Sequence, residues 1–152
     1  SSDICEFLRD IIAFYIPEFD NNKFDYDFDI MEEPFMIKID EKHMYRALSN
    51  IINNSIKYNP EGTKIKISGR PSKKSFVITI GDNGIGIPAS LQSDIFNPFV
   101  RVDDSRNSKS GGNGLGLAIA KDIIEKHNGT IKLSSNINKG CTFVITLPTE
   151  NQ

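Results

Sequence analysis

Gly81-Asp82-Asn83-Gly84-Ile85-Gly86-Ile87-Pro88-Ala89 is the stretch on which the fold turns. It follows an alternating apolar segment, and from Gly84 to Ala89 it spells G-x-G-x-x-A, the dinucleotide fingerprint. An acidic pair, Asp103 and Asp104, follows about twenty residues later, as that fingerprint asks. A parallel βαβ unit would now need a full helix and then an apolar strand carrying the acid. Instead Pro98 interrupts, and residues 103–110 are almost entirely polar. The dinucleotide reading fails on that ground, and the chain contains no G-x-x-x-x-G-K-[ST] string of a P-loop. One glycine pair alone is most simply a turn, because glycine tolerates dihedrals that other residues avoid. A second run, Gly111-Gly112-Asn113-Gly114-Leu115-Gly116, makes that simple reading insufficient.

The segments on either side of the first loop arrive as adjacent pairs of strands. Residues 64–69 and 76–80 alternate apolar and polar, with a polar hairpin at 71–75, and residues 130–134 and 142–147 form a second pair around a turn at 136–140. Phe24, Tyr26, Phe28 and Ile30 alternate likewise, as do Phe35, Ile37 and Ile39, which predicts two half-buried strands joined by a turn at Glu32, Glu33 and Pro34. Ile4, Phe7, Leu8, Ile11, Phe14 and Tyr15 recur at helical spacing and lay one apolar stripe on a first helix, ended by Pro17. Helical periods return at 40–58, stopped by Asn59-Pro60-Glu61-Gly62, over a short stretch at 89–96, and at 114–127. Strands in adjacent pairs predict an α+β, two-layer sandwich: a mixed, mostly antiparallel sheet with helices on one face.

The second glycine run leads straight into a helix. A helix start presents unpaired N–H groups and the positive end of a dipole, and glycines let an anion come close to them. The same run also serves as a hinge before a core helix, since Ile119, Ala120, Ile123 and Ile124 share one face. The helix at 41–58 has two organised faces. Met44, Leu48, Ile51, Ile52 and Ser55 form an apolar one, and Asn50, Asn54, Lys57 and Tyr58 a polar one. Two asparagines one turn apart are an unusual choice for a solvated helix surface, where Glu, Lys or Gln suit the helix better. Magnesium gives them a purpose: it takes hard oxygen ligands, keeps several waters and leans on substrate phosphates, so the Asn54 carboxamide can complete its shell. Lys57 can offset phosphate charge, and Tyr58 can offer an aromatic edge to a base. Asp82 sits where a carboxylate accepts a hydrogen bond from the exocyclic amine of adenine, a place where guanine would bring an oxygen. The alternative for Asp82 is an Asx turn before Gly84.

Bulk properties fit this picture. The chain has 152 residues, the length of one domain, and a formal net charge of -2 with 18 basic and 20 acidic residues dispersed along it. No basic stripe is present to track a nucleic-acid backbone, so no nucleic-acid partner is expected. Cys5 and Cys141 are too few for a disulfide framework, which predicts reduced thiols and a cytoplasmic setting. No apolar run approaches the ~20 residues that span a bilayer. The domain is expected to be soluble and monomeric, a single unit over 1–152 cut from a longer protein, with 1–19 as a helix or linker from the upstream region.

Taken in order, four stretches closely resemble the N, G1, F and G2 boxes of the catalytic, ATP-binding domain of bacterial sensor histidine kinases. They are Asn50-Ile51-Ile52-Asn53-Asn54-Ser55-Ile56-Lys57-Tyr58-Asn59-Pro60, Gly81 to Pro88 as quoted, Ile95-Phe96-Asn97-Pro98-Phe99-Val100-Arg101-Val102-Asp103, and Gly112-Asn113-Gly114-Leu115-Gly116-Leu117-Ala118-Ile119-Ala120-Lys121. The likeness runs over nearly the whole chain and includes His127-Asn128-Gly129-Thr130-Ile131 and Gly140-Cys141-Thr142-Phe143. It implies the Bergerat α/β sandwich, with Mg-ATP under a lid at 97–111. By this resemblance Asn54 holds the magnesium, Asn50 and Lys57 approach the phosphates, Tyr58 lies over adenine, and Asp82 reads its amine. Gly84, Gly86 and Ile87 shape the base pocket, with Phe99 beyond them. Gly112, Gly114, Leu115, Gly116 and Leu117 wrap the phosphates, and Arg101, Arg106 or Lys109 reaches the γ-phosphate from the lid. Ser55 and Asn59 depart from the family pattern, which more often has Ala and Thr there.

The resemblance further implies transfer of the γ-phosphoryl group to a histidine on a separate helical dimerisation domain of the same protein, with a response regulator downstream and a membrane-associated parent. Such transfer depends on in-line positioning and charge neutralisation. Neither His43 nor His127, one at each end of a helix, is suited to be the acceptor. Two competing readings are a hydrolytic relative, which would carry a general-base glutamate where this chain has Asn50, and a module that senses ATP without catalysis.

Overall fold

The computed structural model of the chain describes residues 1–98, 115–135 and 138–149. Among them the order is β1 (Ser2–Asp3), α1 (Ile4–Asn21), β2 (Asp25–Ile30), β3 (Met36–Ile37), α2 (Glu41–Tyr58), β4 (Lys64–Ser72), β5 (Ser75–Asp82), α3 (Ala89–Gln92), α4 (Gly116–Lys126), β6 (Thr130–Ser135) and β7 (Cys141–Pro148). Five strands form one sheet in the order β2-β4-β5-β7-β6; β2 lies parallel to β4 and the remaining pairs are antiparallel. The predicted α+β sandwich is therefore correct.

Register explains the single core. Ile67 lies opposite Ile80, Ile80 opposite Phe143, Ile78 opposite Ile145 and Phe76 opposite Leu147, so the period-2 alternation of three strands delivers all its large residues to one face. That face and the apolar stripes of α1, α2 and α4 bury Phe19, Phe76, Phe143, Met44, Leu48 and Ile51 together. Asp3 caps α1 by accepting the Cys5 N–H at 3.0 Å, and Asp40 caps α2 by accepting the His43 N–H at 3.2 Å.

Five expectations need correction. Pro17 does not end α1, which runs on to Asn21. Proline forfeits one N–H bond there, but Phe19, fully buried and stacked against Tyr15 at 6.1 Å, secures the last turn. Phe14 does not join the buried stripe: it is 65% exposed and meets Tyr15 and Tyr45 edge-on. The strands at 24–30 and 35–39 do not form a hairpin. β2 pairs with β4 across α2, while the two-residue β3 pairs with β1 in a separate small sheet. The short helix at 89–96 is a single turn, Ala89–Gln92. The β4–β5 hairpin is tighter than expected, closing between Ser72 and Ser75 with Lys73 at φ 56°.

Candidate functional site

β5 ends at Asp82, between Ile65 of β4 and Cys141 of β7, and from there the chain turns toward the C-terminal half of α2. The Asp82 carboxylate organises this corner. Its Oδ1 accepts the N–H of Gly84 at 3.0 Å and that of Cys141 at 3.3 Å, and its Oδ2 accepts the Ser55 hydroxyl at 3.1 Å. The Gly84 bond is the Asx turn considered above. Oδ2 retains one lone pair beyond the Ser55 bond. Asn59, just past the end of α2, donates to the Ser55 carbonyl at 2.9 Å and accepts the Ile85 N–H at 3.0 Å.

Glycine is required here for two distinct reasons. A Cβ at Gly84 would collide with the Asn59 carboxamide, and a Cβ at Gly140 would collide with the Asp82 carbonyl, at a residue whose φ is already +86°. The backbone thus passes close to the side chain of Asn59 in one place and to β5 in the other.

Asn54, Ser55, Tyr58, Asn59, Asp82, Ile85, Gly86, Ile87 and Cys141 together line an open cleft of about 280 Å³. Five residues singled out in the sequence, Asn54, Tyr58, Asp82, Gly86 and Ile87, are brought together there. Lys57 is exposed and outside the lining. Asn50 lies outside it as well: its amide donates to the Gly116 carbonyl at 3.1 Å and joins α2 to the first turn of α4. Leu115 occupies the N-cap position of α4, whose described part begins at Gly116, and the Leu117 side chain is buried in the core. Phe99, Arg101, Arg106, Lys109, Gly112 and Gly114, with all of the expected lid except Asn97 and Pro98, lie outside the described residues.

Four contributors were not legible as site residues in the sequence. Asn59 reads as a helix stop and Ser55 as part of an apolar helix face, both as departures from the family pattern, while Ser135 and Gln92 carry no local signal at all. Each makes a bond between segments far apart in the chain, Ser55 to Asp82, Asn59 to Ile85, Ser135 to Ile87 and Gln92 to Ser135.

Both histidines have structural partners. His43 Nδ1 lies 2.8 Å from Asp40 Oδ2, and this bond holds the Asp40 carboxyl below its ordinary range. His127 Nε2 accepts the Asp40 N–H at 3.0 Å while its Nδ1 faces the Ile123 carbonyl at 2.8 Å, which assigns the proton to Nδ1. Both histidines are thereby engaged at one residue that joins the start of α2 to the end of α4. Cys5 and Cys141 are free, buried thiols, and burial pushes both up. Among the described residues no helix is long and apolar enough to cross a membrane.

The chain is similar to known proteins in sequence and in fold. Residues 39–151 match the family model described as histidine kinase-, DNA gyrase B-, and HSP90-like ATPase. The signal transduction histidine-protein kinase ArlS of Staphylococcus aureus is 46% identical over 123 residues, covering 80% of this chain and 27% of that protein. The chain thus spans about a quarter of the length of that relative. Among solved structures, the nucleotide-free catalytic domain of histidine kinase ThkA superposes with a TM-score of 0.83 at 26% identity, covering 97% of this chain and 95% of that one. Histidine kinase ThkA in complex with response regulator protein TrrA gives a TM-score of 0.80 at 25% identity, over 97% of this chain and 41% of that one.

Proposed function

This chain belongs to the histidine kinase-, DNA gyrase B-, and HSP90-like ATPase family, as the ATPase domain of a two-component histidine kinase, and on that premise we propose that its cleft binds Mg-ATP for transfer of the γ-phosphoryl group to a histidine. The acceptor is on a helical dimerisation domain of the same protein, and a response regulator is the downstream partner, as the ThkA complex with TrrA suggests. The observation that carries the reading is the Asp82 carboxylate, fixed through three hydrogen bonds and still offering one Oδ2 lone pair in a cleft that Asn54 and Tyr58 also line.

The donor set suits the ligand. Asp82 accepts the 6-amino group of the base, Tyr58 and Ile87 flank the ring, and Gly84 and Gly86 shape the loop beside it. Asn54 offers a neutral oxygen to a magnesium ion, which neutralises phosphate charge when bound. Among the described residues no group of three or more His, Cys, Asp or Glu could hold a metal. A carboxamide shared with substrate phosphates matches that composition. Asn50 stands at the phosphate end through Gly116, and Lys57, Leu115, Gly116 and Leu117 complete that end. From 99–114 the same reading draws Phe99, Arg101, Lys109, Gly112 and Gly114.

Position 50 also distinguishes kinase from hydrolase. A general base must take a proton from the attacking water, and the Asn50 carboxamide, whose amide already donates to Gly116, has no such basicity. The decisive experiment joins this domain to the residues that precede it in the parent protein and supplies γ-labelled ATP. Acid-labile, base-stable label on the protein is expected. Release of inorganic phosphate without labelled protein would favour the hydrolytic reading, and acid-stable label would point to serine or threonine.

A further inference from the structure

Behind the cleft lies a second set of bonds. The loop leaving β5 has no ladder partner, so the backbone groups of Ile85 and Ile87 must find other ones. Ile85 gives its N–H to Asn59 and takes an N–H from Asn138 at 2.7 Å. Ile87 is held entirely by side chains: its N–H goes to Ser135 Oγ at 2.8 Å, and its carbonyl accepts from Gln92 Nε2 at 2.9 Å. Gln92 uses the same nitrogen to donate to the Ser135 carbonyl at 2.8 Å. Ser135 Oγ in turn gives its hydrogen to the Gly140 carbonyl at 2.8 Å and lies 3.4 Å from Cys141 Sγ.

This network closes a loop through the cleft wall. Ile87 and Cys141 both line the cleft, and Cys141 donates its N–H to the Asp82 carboxylate. Ser135 therefore fixes, through one oxygen, both an apolar wall of the pocket and the strand that aims the purine-reading carboxylate. Gln92 doubles the link from α3, and because both of its N–H hydrogens are used, it has no slack to follow a displaced loop.

Resting on the nucleotide reading above, we propose that Ser135 and Gln92 are positioning residues that set Ile87 against Asp82 and so determine selectivity for a 6-aminopurine over a 6-oxopurine. A pocket held at one width rewards the base whose amine meets Asp82 and rejects the one that brings an oxygen. If the wall loosens, the rejected base can shift to relieve that contact, and the preferred base loses its fixed partner.

The test is calorimetric titration of the chain with Mg-ATP and with Mg-ITP, which differ at the 6-position of the base. Gln92→Met removes both donors at similar length, Ser135→Ala removes the hydroxyl, and thermal unfolding of each variant is followed in parallel. With Ile87 no longer held against Asp82, ATP should bind roughly tenfold more weakly. The expected result is that loss, with ITP affinity changed less than about twofold, so that the ATP to ITP preference narrows. Parallel loss for both nucleotides, or no loss for either, would overturn the positioning role. If Ser135→Ala does not fold, Gln92→Met alone decides. Absence of ATP binding by the unaltered chain would instead defeat the nucleotide reading itself.

Discussion

Asp82 and Asn54 carry the sharpest expectations at the scale of single residues. In Asp82→Asn the amide can still satisfy the N–H groups of Gly84 and Cys141 through its oxygen, but it then presents an NH₂ where Oδ2 stood. Ser55 can turn to accept from that NH₂, so the fold should survive. The 6-amino group then meets a donor, and losing a hydrogen bond to a charged acceptor is worth about 1.5–3 kcal/mol. ATP affinity measured by calorimetry should fall on the order of 10- to 100-fold, with GTP affected far less. Asn54→Ala should abolish magnesium-dependent ATP binding while circular dichroism and thermal unfolding stay near those of the parent chain. Undiminished Mg-ATP affinity would remove Asn54 from the metal role. The two substitutions also separate the ends of the ligand, since only Asn54→Ala should make binding insensitive to magnesium.

Elements differ in how much of them the sequence reveals. The alternation of 64–69, 76–80 and 142–147 specifies strands and their buried face, and the stop at Asn59-Pro60 ends α2 where expected. Alternation does not specify a partner. β2 and β3 looked like a hairpin because they are neighbours with a turn between them, yet β2 gains more by pairing along all six of its residues with β4. Pro17 misled for a similar reason: a local rule was outweighed by Phe19 in the core, which no local window contains. The site follows the same logic. Asp82, Asn54 and Tyr58 were visible because each lies beside a distinctive spacing, whereas Ser135 acts on Ile87 across 48 positions of sequence. Helix starts give a further expectation. Asp3 Oδ1 accepts from both Cys5 and Phe35, and the Phe35 bond chiefly holds its carboxyl below the ordinary 3.8. Because the folded-state value is the lower one, this stabilisation is complete above the unfolded value and is lost as pH falls through the folded one. Asp3→Ala should therefore lower the unfolding free energy from urea titration at neutral pH by about 1 kcal/mol, as for other lost caps. The difference from the parent chain should shrink in acid below about pH 4. A difference that persists there would mean that the carboxylate is not what stabilises this end of α1.

The molecule as a whole has one hydrophobic core shared by the sheet and three helices, so thermal unfolding should be a single cooperative transition. Mg-ATP at 100 times its dissociation constant should stabilise that transition by about 2.7 kcal/mol, seen as a higher Tm. Chelating the magnesium should reverse most of the gain, and an equal gain without metal would argue against Asn54 as its ligand. α4 is fastened to α2 at both ends, by Asn50 to Gly116 and by the bond between His127 and Asp40, so the two ends of this helix pair are held together. The sheet's outer strand β2 has a different consequence. Among the described residues no strand pairs with its outer edge, the usual template for one protein to extend another's sheet. Asp25, Asp27 and Asp29 all stand exposed along it, with Asp29 paired to Arg70 at 2.6 Å. Lys64 and Lys66 of β4 stand opposite Asp25 and Asp27, so the charges of this edge are satisfied within one copy. A second copy pairing along it would have to crowd two such charged rows together.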